Sequence, residues 1–247
     1  MKKEFILVAS AIALTMSLTA NAAAYKEVSV SNGGTITGKV SMKGKDLPAK
    51  TYNITKDNNV CGKGERSIDF VRVNGGALTD VVVYLSKVKS GKGFDKKIAK
   101  ATIEQKGCEF IPFLQVMKNK ESLAAINEDP VLHNIHTYEL IRGDAKGSKK
   151  TLFNVSQPDP TTVTKTVKMK RGPAIKVECD AHDFMHGFIF VARNPYYALV
   201  KEDGTFSIDN VPPGKYTIKA WHGMLKNQKS KVEVAANGSA TVNFSFK

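Results

Sequence analysis

The chain has 247 residues, 42% of them apolar and 24% charged, a balance that suits a globular protein with its own core. Lys and Arg number 37 against 23 Asp and Glu, a net charge of +14 that points to acidic partners or anionic surfaces. Five histidines are too few for a multicopper oxidase or a multihaem cytochrome, and no C-x-x-C-H motif is present to attach a haem.

At the start, Lys2 and Lys3 precede an apolar stretch over 5–20, and Ala20-Asn21-Ala22 fits a signal-peptidase site. Residues 1–22 therefore read as a cleaved signal peptide, and the protein is expected to be exported to the periplasm. No later window is apolar enough to span a bilayer. Residues 34–40 alternate as a strand, and residues 81–85 follow an Asn74-Gly75-Gly76 turn as a strand buried on both faces. The stretch 86–100 carries Lys87, Lys89, Lys92, Lys96, Lys97 and Lys100 against Asp95 alone, and reads as a solvated or a docking surface. Further strands are expected at 110–116, 131–138 and 163–169. Beyond Pro195, Phe206, Ile208, Tyr216 and Ile218 mark a hairpin around Pro212-Pro213-Gly214, and a second pair follows with its turn at Asn237-Gly238. The predicted fold class is all-β.

Export changes how the three cysteines read, because thiols pair in an oxidising compartment. Cys61 and Cys108 sit in similar loop-like settings and are expected to form a disulfide. Cys179 then stands alone among His, Asp and Met. It begins a C-x-x-H-x-x-M loop with His182 and Met185, between an alternating strand at 175–179 and an apolar one at 187–191. A soft thiolate, an imidazole and a weak thioether are the donors of a mononuclear electron-transfer copper site. One more imidazole is needed. His133 and His136 lie on opposite faces of one strand, so only one of them can join Cys179.

With Ile126-Asn127 and His133-Asn134-Ile135-His136 upstream, these residues resemble the cupredoxins, and the amicyanins most closely, over residues 65–193. The resemblance implies a Greek-key sandwich holding one type 1 copper ion. His133 and His182 would be the imidazole ligands, Cys179 the thiolate and Met185 the weak axial ligand. Asn134 would tie the two ligand loops together by hydrogen bonds. It also implies that electrons pass through the edge of His182, the ligand nearest the surface, beside Phe184. Ala181 and Asp183 stand where amicyanins carry prolines, which leaves the potential and the partner open. The G-x-F-x-I-x-x-V-P-P-G-x-Y pattern at 204–216 resembles the last strands of carboxypeptidase-regulatory-like (transthyretin-like) domains. The expected division is thus a cupredoxin-like part at 34–193 and a small transthyretin-like sandwich at 194–247. Residues 34–55 either open the first or complete the second.

The expected function is a monomeric one-electron carrier that meets an acidic redox protein through the lysines at 87–100 and 165–170, with Arg171. The alternative is a periplasmic copper-binding or copper-delivery protein. Neither reading makes the chain an enzyme, and no nucleic-acid module accompanies its charge.

Overall fold

The structure is a computed structural model that describes residues 25–98, 100–141 and 143–247, so the expected signal peptide lies outside the described residues. The fold is all-β, as the alternation in the sequence requires. The only helical turns among the described residues are Asn58–Cys61 and Lys96–Ile98. None of its helices is long and apolar enough to cross a membrane.

Two sheets make the first lobe. In one, Phe110–Ile111, Lys100–Gln105, Ser122–Asn127 and Thr161–Thr166 lie side by side. In the other the order is Leu114–Lys118, His186–Ala192, Ala174–Glu178, His133–Leu140 and Lys149–Gln157. Ser122–Asn127 runs parallel to Lys100–Gln105, and Leu114–Lys118 parallel to His186–Ala192, so the chain crosses between layers. Side chains of alternate residues enter the space between the sheets. Ile103, Leu123 and Ala125 from one layer meet Ile135, Val177 and Ile189 from the other.

The second lobe draws on both halves of the chain. Gly34–Met42 is flanked by Thr205–Val211 on one side and receives Ser239–Thr241 and Phe244–Phe246 as parallel partners on the other. Val81–Ser86 pairs with Gly214–His222 and with Tyr197–Leu199. Strand pairing therefore does not follow a linear division at residue 193. Within 34–55, the strand Gly34–Met42 joins the second lobe, while Tyr52 and Ile54 of Lys50–Ile54 pack into the first. Trp221, fully buried, closes the gap between the lobes. Its ring meets Phe188 and Phe190, and its Nε1 donates to the Gly143 carbonyl.

Gly38 shows why the strand Gly34–Met42 needs its second glycine. A Cβ there would lie 1.8 Å from the Val242 carbonyl oxygen and 2.9 Å from the Phe206 ring. Main-chain atoms cannot give way as a flexible side chain does. Gly38→Ala is expected to destabilise the protein by about 3 kcal/mol through overpacking. Denaturant melts should show it as a lower midpoint with an unchanged slope.

Candidate metal centre

The strand Ala174–Glu178 buries Ile175 and Val177 on its inner face, and the next inward position is Cys179. Across the sheet, His133 opens the strand His133–Leu140 and is also fully buried. The loop after Cys179 folds back with the Met185 amide donating to the His182 carbonyl, which turns His182 inward. Cys179 Sγ then lies 4.0 Å from His133 Nδ1 and 3.8 Å from His182 Nδ1, and the two nitrogens are 3.1 Å apart. Met185 and Phe184 are buried in the same core as Cys179.

The opposite ring nitrogens decide what this cluster can do. His133 Nε2 donates to Asp129 at 2.9 Å, and His182 Nε2 donates to Asp57 at 2.8 Å. Each carboxylate fixes its imidazole in the tautomer whose Nδ1 carries a bare lone pair. Two lone pairs thus face each other across 3.1 Å beside a buried sulfur. That arrangement is repulsive unless a proton or a cation sits among the three atoms. The point equidistant from them lies about 2.1 Å from each, the length of metal–imidazole and metal–thiolate bonds. Carboxylate-bonded imidazoles are also the usual support of a metal site. The donor set fits a metal ion.

Charge effects agree. Burial pushes the Cys179 thiol up from its ordinary value, opposed by the main-chain N–H groups of Asn134, Ala181 and His182. A neutral thiol is thus favoured until a cation compensates the sulfur. Burial pulls His182 down, with Asp57 acting against it, so the ring is held as neutral imidazole, the ligating form. For Asp129 burial acts upward, but the Cys108 amide, His133 and the Gly107 amide together hold the carboxyl below the ordinary range.

Cys61 and Cys108 form the expected disulfide, and it braces both carboxylates. Asp57 immediately precedes the helical turn that ends in Cys61, whereas the Gly107 and Cys108 amides donate to Asp129 at 2.8 Å each. Arg66 clasps the junction, donating to the carbonyls of Cys61 and Cys108 at 2.7 Å while lying over the Phe184 ring. The cross-link closes a loop with a sequence separation of 47. In the chain-entropy account such a loop contributes about 4 kcal/mol.

Several expected roles fall differently. Asn134 reaches Cys179 Sγ through its main-chain N–H, which donates at 3.2 Å, not through its side chain. Its side chain turns outward to Asn154. His136 is on the outer face, bonded to Asp180 at 2.8 Å, and His186 points away toward Tyr52. The surface edge expected at His182 and Phe184 is not there. Both side chains are enclosed, because residues 50–61 fold over the ligand loop and bring Asp57 onto the ring. A groove between Lys50–Ile54 and residues 180–184 leads down to them. Among the lysines expected to dock a partner, Lys92 is instead half-buried, donating to the Asp209 carbonyl beside Tyr196. Sequence reading missed Asp57, Asp129 and Arg66. Only Asp129 left a signal, four residues before His133.

Residues 191–242 match the family described as polysaccharide lyase family 4, domain II. No curated protein matches the chain. Among solved structures, the chain is similar to a purple cupredoxin from Nitrosopumilus maritimus, at 19% identity over 37% of this chain and 99% of that one, with a TM-score of 0.31. It is also similar to amicyanin from Paracoccus versutus, at 13% identity over 38% and 81%, with a TM-score of 0.29. A copper-containing nitrite reductase from Thermus scotoductus SA-01 is similar at 13% identity over 53% and 35%, with a TM-score of 0.29.

The two carboxylates should separate under mutation. Asp57 has a left-handed backbone with φ 51°, which asparagine tolerates. Asp57→Asn should therefore weaken metal affinity about tenfold while leaving the melting temperature of the metal-free protein unchanged. Asp129→Asn should lower both, since it also loses main-chain bonds. Because the Asp129 carboxyl is held low in the folded state, the wild type's stability advantage over Asp129→Asn is complete above the ordinary carboxylate pKa of about 4. It is lost as pH falls through the depressed value. Chelator competition and melts against pH check both variants.

Proposed function

We propose that the chain is an exported copper protein that carries single electrons between redox partners. The observation that supports this most is the convergence of Cys179 Sγ and two bare Nδ1 atoms on one buried point at metal-bonding distance. Thiolate with two imidazoles is a donor set that suits copper, and Met185, buried in the same core, would offer a weak thioether. Copper bound there would supply a one-electron couple. His133, Cys179 and His182 would hold it, and the strands beneath them would keep their spacing nearly constant in either oxidation state.

A donor set of four leaves no open position for a substrate, which favours a carrier over a catalyst. Enclosure bears on the alternative too. A copper-delivery protein must surrender its metal by ligand exchange, and a buried site under a disulfide-braced cover hinders that exchange. The cysteine pairing and the leader-like residues 1–22 support export. In this reading a partner approaches the groove above His182, where Lys50 and Lys56 stand against Asp180 and Asp183. The overall charge of +14 favours an acidic partner, met as a monomer through a small, weak interface.

The absorption spectrum of the copper-loaded protein tests the proposal. The oxidised form is expected to show an intense thiolate-to-copper band in the visible, bleached by a one-electron reductant. Cys179→Ser should abolish the band, since a hydroxyl is a poor soft donor. Copper uptake without that band, with Cys179 still fully reactive toward a thiol reagent, would refute the assignment.

A further inference from the structure

Away from the ligand cluster, a half-enclosed cleft of about 430 Å³ opens between the two lobes. Its lining includes Lys87, Arg171, Arg193 and Lys219, and no aspartate or glutamate. Lys87 follows the strand Val81–Ser86, and Lys219 lies on Gly214–His222 beside it. Arg171 and Arg193 come from the other lobe, just before Ala174–Glu178 and just after His186–Ala192. None of the four joins an ion pair among the described residues.

The two arginines are held in place. Buried Glu139 accepts the main-chain N–H groups of Lys170, Arg171 and Gly172 on one oxygen, which fixes that turn. Arg193 Nη2 reaches the carbonyls of Arg171 and Gly172 at 3.4 Å, so its guanidinium stands at the cleft with further donors unused. The floor is aromatic. Tyr197 and Lys219 are both cross-strand neighbours of Tyr84, which places the three in a row across the sheet. The Tyr84 ring lies 4.8 Å from Phe190. Neither tyrosine hydroxyl bonds a protein group among the described residues. Burial pushes both phenols up to about 12, so they remain neutral donors.

The cleft therefore gathers donors and positive charge over an aromatic floor, with no carboxylate among its described lining residues. The nearest carboxylates are Glu139, whose Oε1 is taken by three main-chain N–H groups behind the Arg171 turn, and Asp95 on the Tyr197 side. Like charges brought together at a partly desolvated surface are unfavourable unless an anion joins them. The volume falls within the range of small-molecule sites, about 300–1,000 Å³, and junctions between lobes are a common place for them. Concavity favours a small molecule over the flat face of a protein. We propose that this cleft binds a small organic anion through its carboxylate or phosphate group, with Arg171 and Arg193 as the principal anchors and Tyr84 and Tyr197 beneath. The proposal is independent of the metal centre.

Isothermal titration of the full chain with citrate, and separately with inorganic phosphate, at 0.15 M salt tests it. Saturable binding of one or both is expected, and the tighter of the two tells whether carboxylate or phosphate is preferred. Arg171→Gln with Arg193→Gln should weaken that binding at least about tenfold, as the loss of two charge-assisted contacts implies. Lys87→Gln with Lys219→Gln, which spares the carbonyl contacts of Arg193, should weaken it as well. Lys89→Gln with Lys96→Gln, exposed lysines that do not line the cleft, should leave it unchanged. The proposal is overturned if neither anion binds saturably, if both cleft variants bind as the wild type does, or if the control pair loses as much as they do. Binding of a sulfated polysaccharide without either small anion would also overturn it, and would mark a general polyanion surface instead.

Discussion

The arrangement of the ligand cluster depends on where two protons sit. Asp57 and Asp129 each take the Nε2 hydrogen of one imidazole, and so force both Nδ1 lone pairs onto a single point next to Cys179. Without those carboxylates either ring could flip its tautomer and satisfy its neighbour with an ordinary hydrogen bond. The rest of the surroundings keeps the carboxylates in register. A closed circuit runs from His182 to Asp57, along one helical turn to Cys61, across the disulfide to Cys108, through its amide to Asp129, and back to His133. Each link is short and its polar groups are satisfied, which leaves the three inward donor atoms as the unresolved part of the network.

How much of this could be read from the sequence depends on the range of the interaction. The strand alternation that buries Ile175, Val177 and Cys179 is local, and so is the C-x-x-H-x-x-M spacing that returns His182 and Met185 to the same core. The Cys61–Cys108 pair was legible because the two sit in similar loop-like settings while Cys179 lies among His, Asp and Met, and the structure contains that disulfide. Asp57 was not legible. It lies 125 positions from the ring it holds, and its backbone conformation at φ 51° carries no distinctive sequence signature. Arg66 gave no signal either, since three of its acceptors are carbonyls, which every residue has. The expected surface edge of His182 failed for the same reason, because the cover over it arrives from residues 50–61.

The second lobe teaches a related lesson about linear boundaries. Its motif residues are informative one strand at a time: Gly38 because a carbonyl passes against it, Ile36, Phe206 and Ile208 because they alternate into one core. What the motifs leave open is which segments become neighbours. Val81–Ser86 reads as a buried strand from composition alone, but its partners lie more than a hundred residues downstream. The same long-range pairing sets Tyr84 beside Lys219 and Tyr197, and it brings Lys87 into one cleft with Arg171. Two basic runs far apart in the chain thereby become one feature of the surface.

The parallel pairing of Gly34–Met42 with Phe244–Phe246 bears on how the protein is made. A chain delivered from its N-terminus cannot complete that sheet until residues 244–246 have emerged, about two hundred positions after the strand they join. Contacts of such sequence separation form late, since closing a long loop costs entropy before it is repaid. The donors of the ligand cluster and their carboxylates fall between residues 57 and 185, so that lobe has its whole complement earlier. During synthesis, the lobe that carries the His133–Cys179–His182 cluster would therefore stand folded beside an unfinished neighbour. Its exposed Gly34–Met42 edge would need shielding until the last strands arrive.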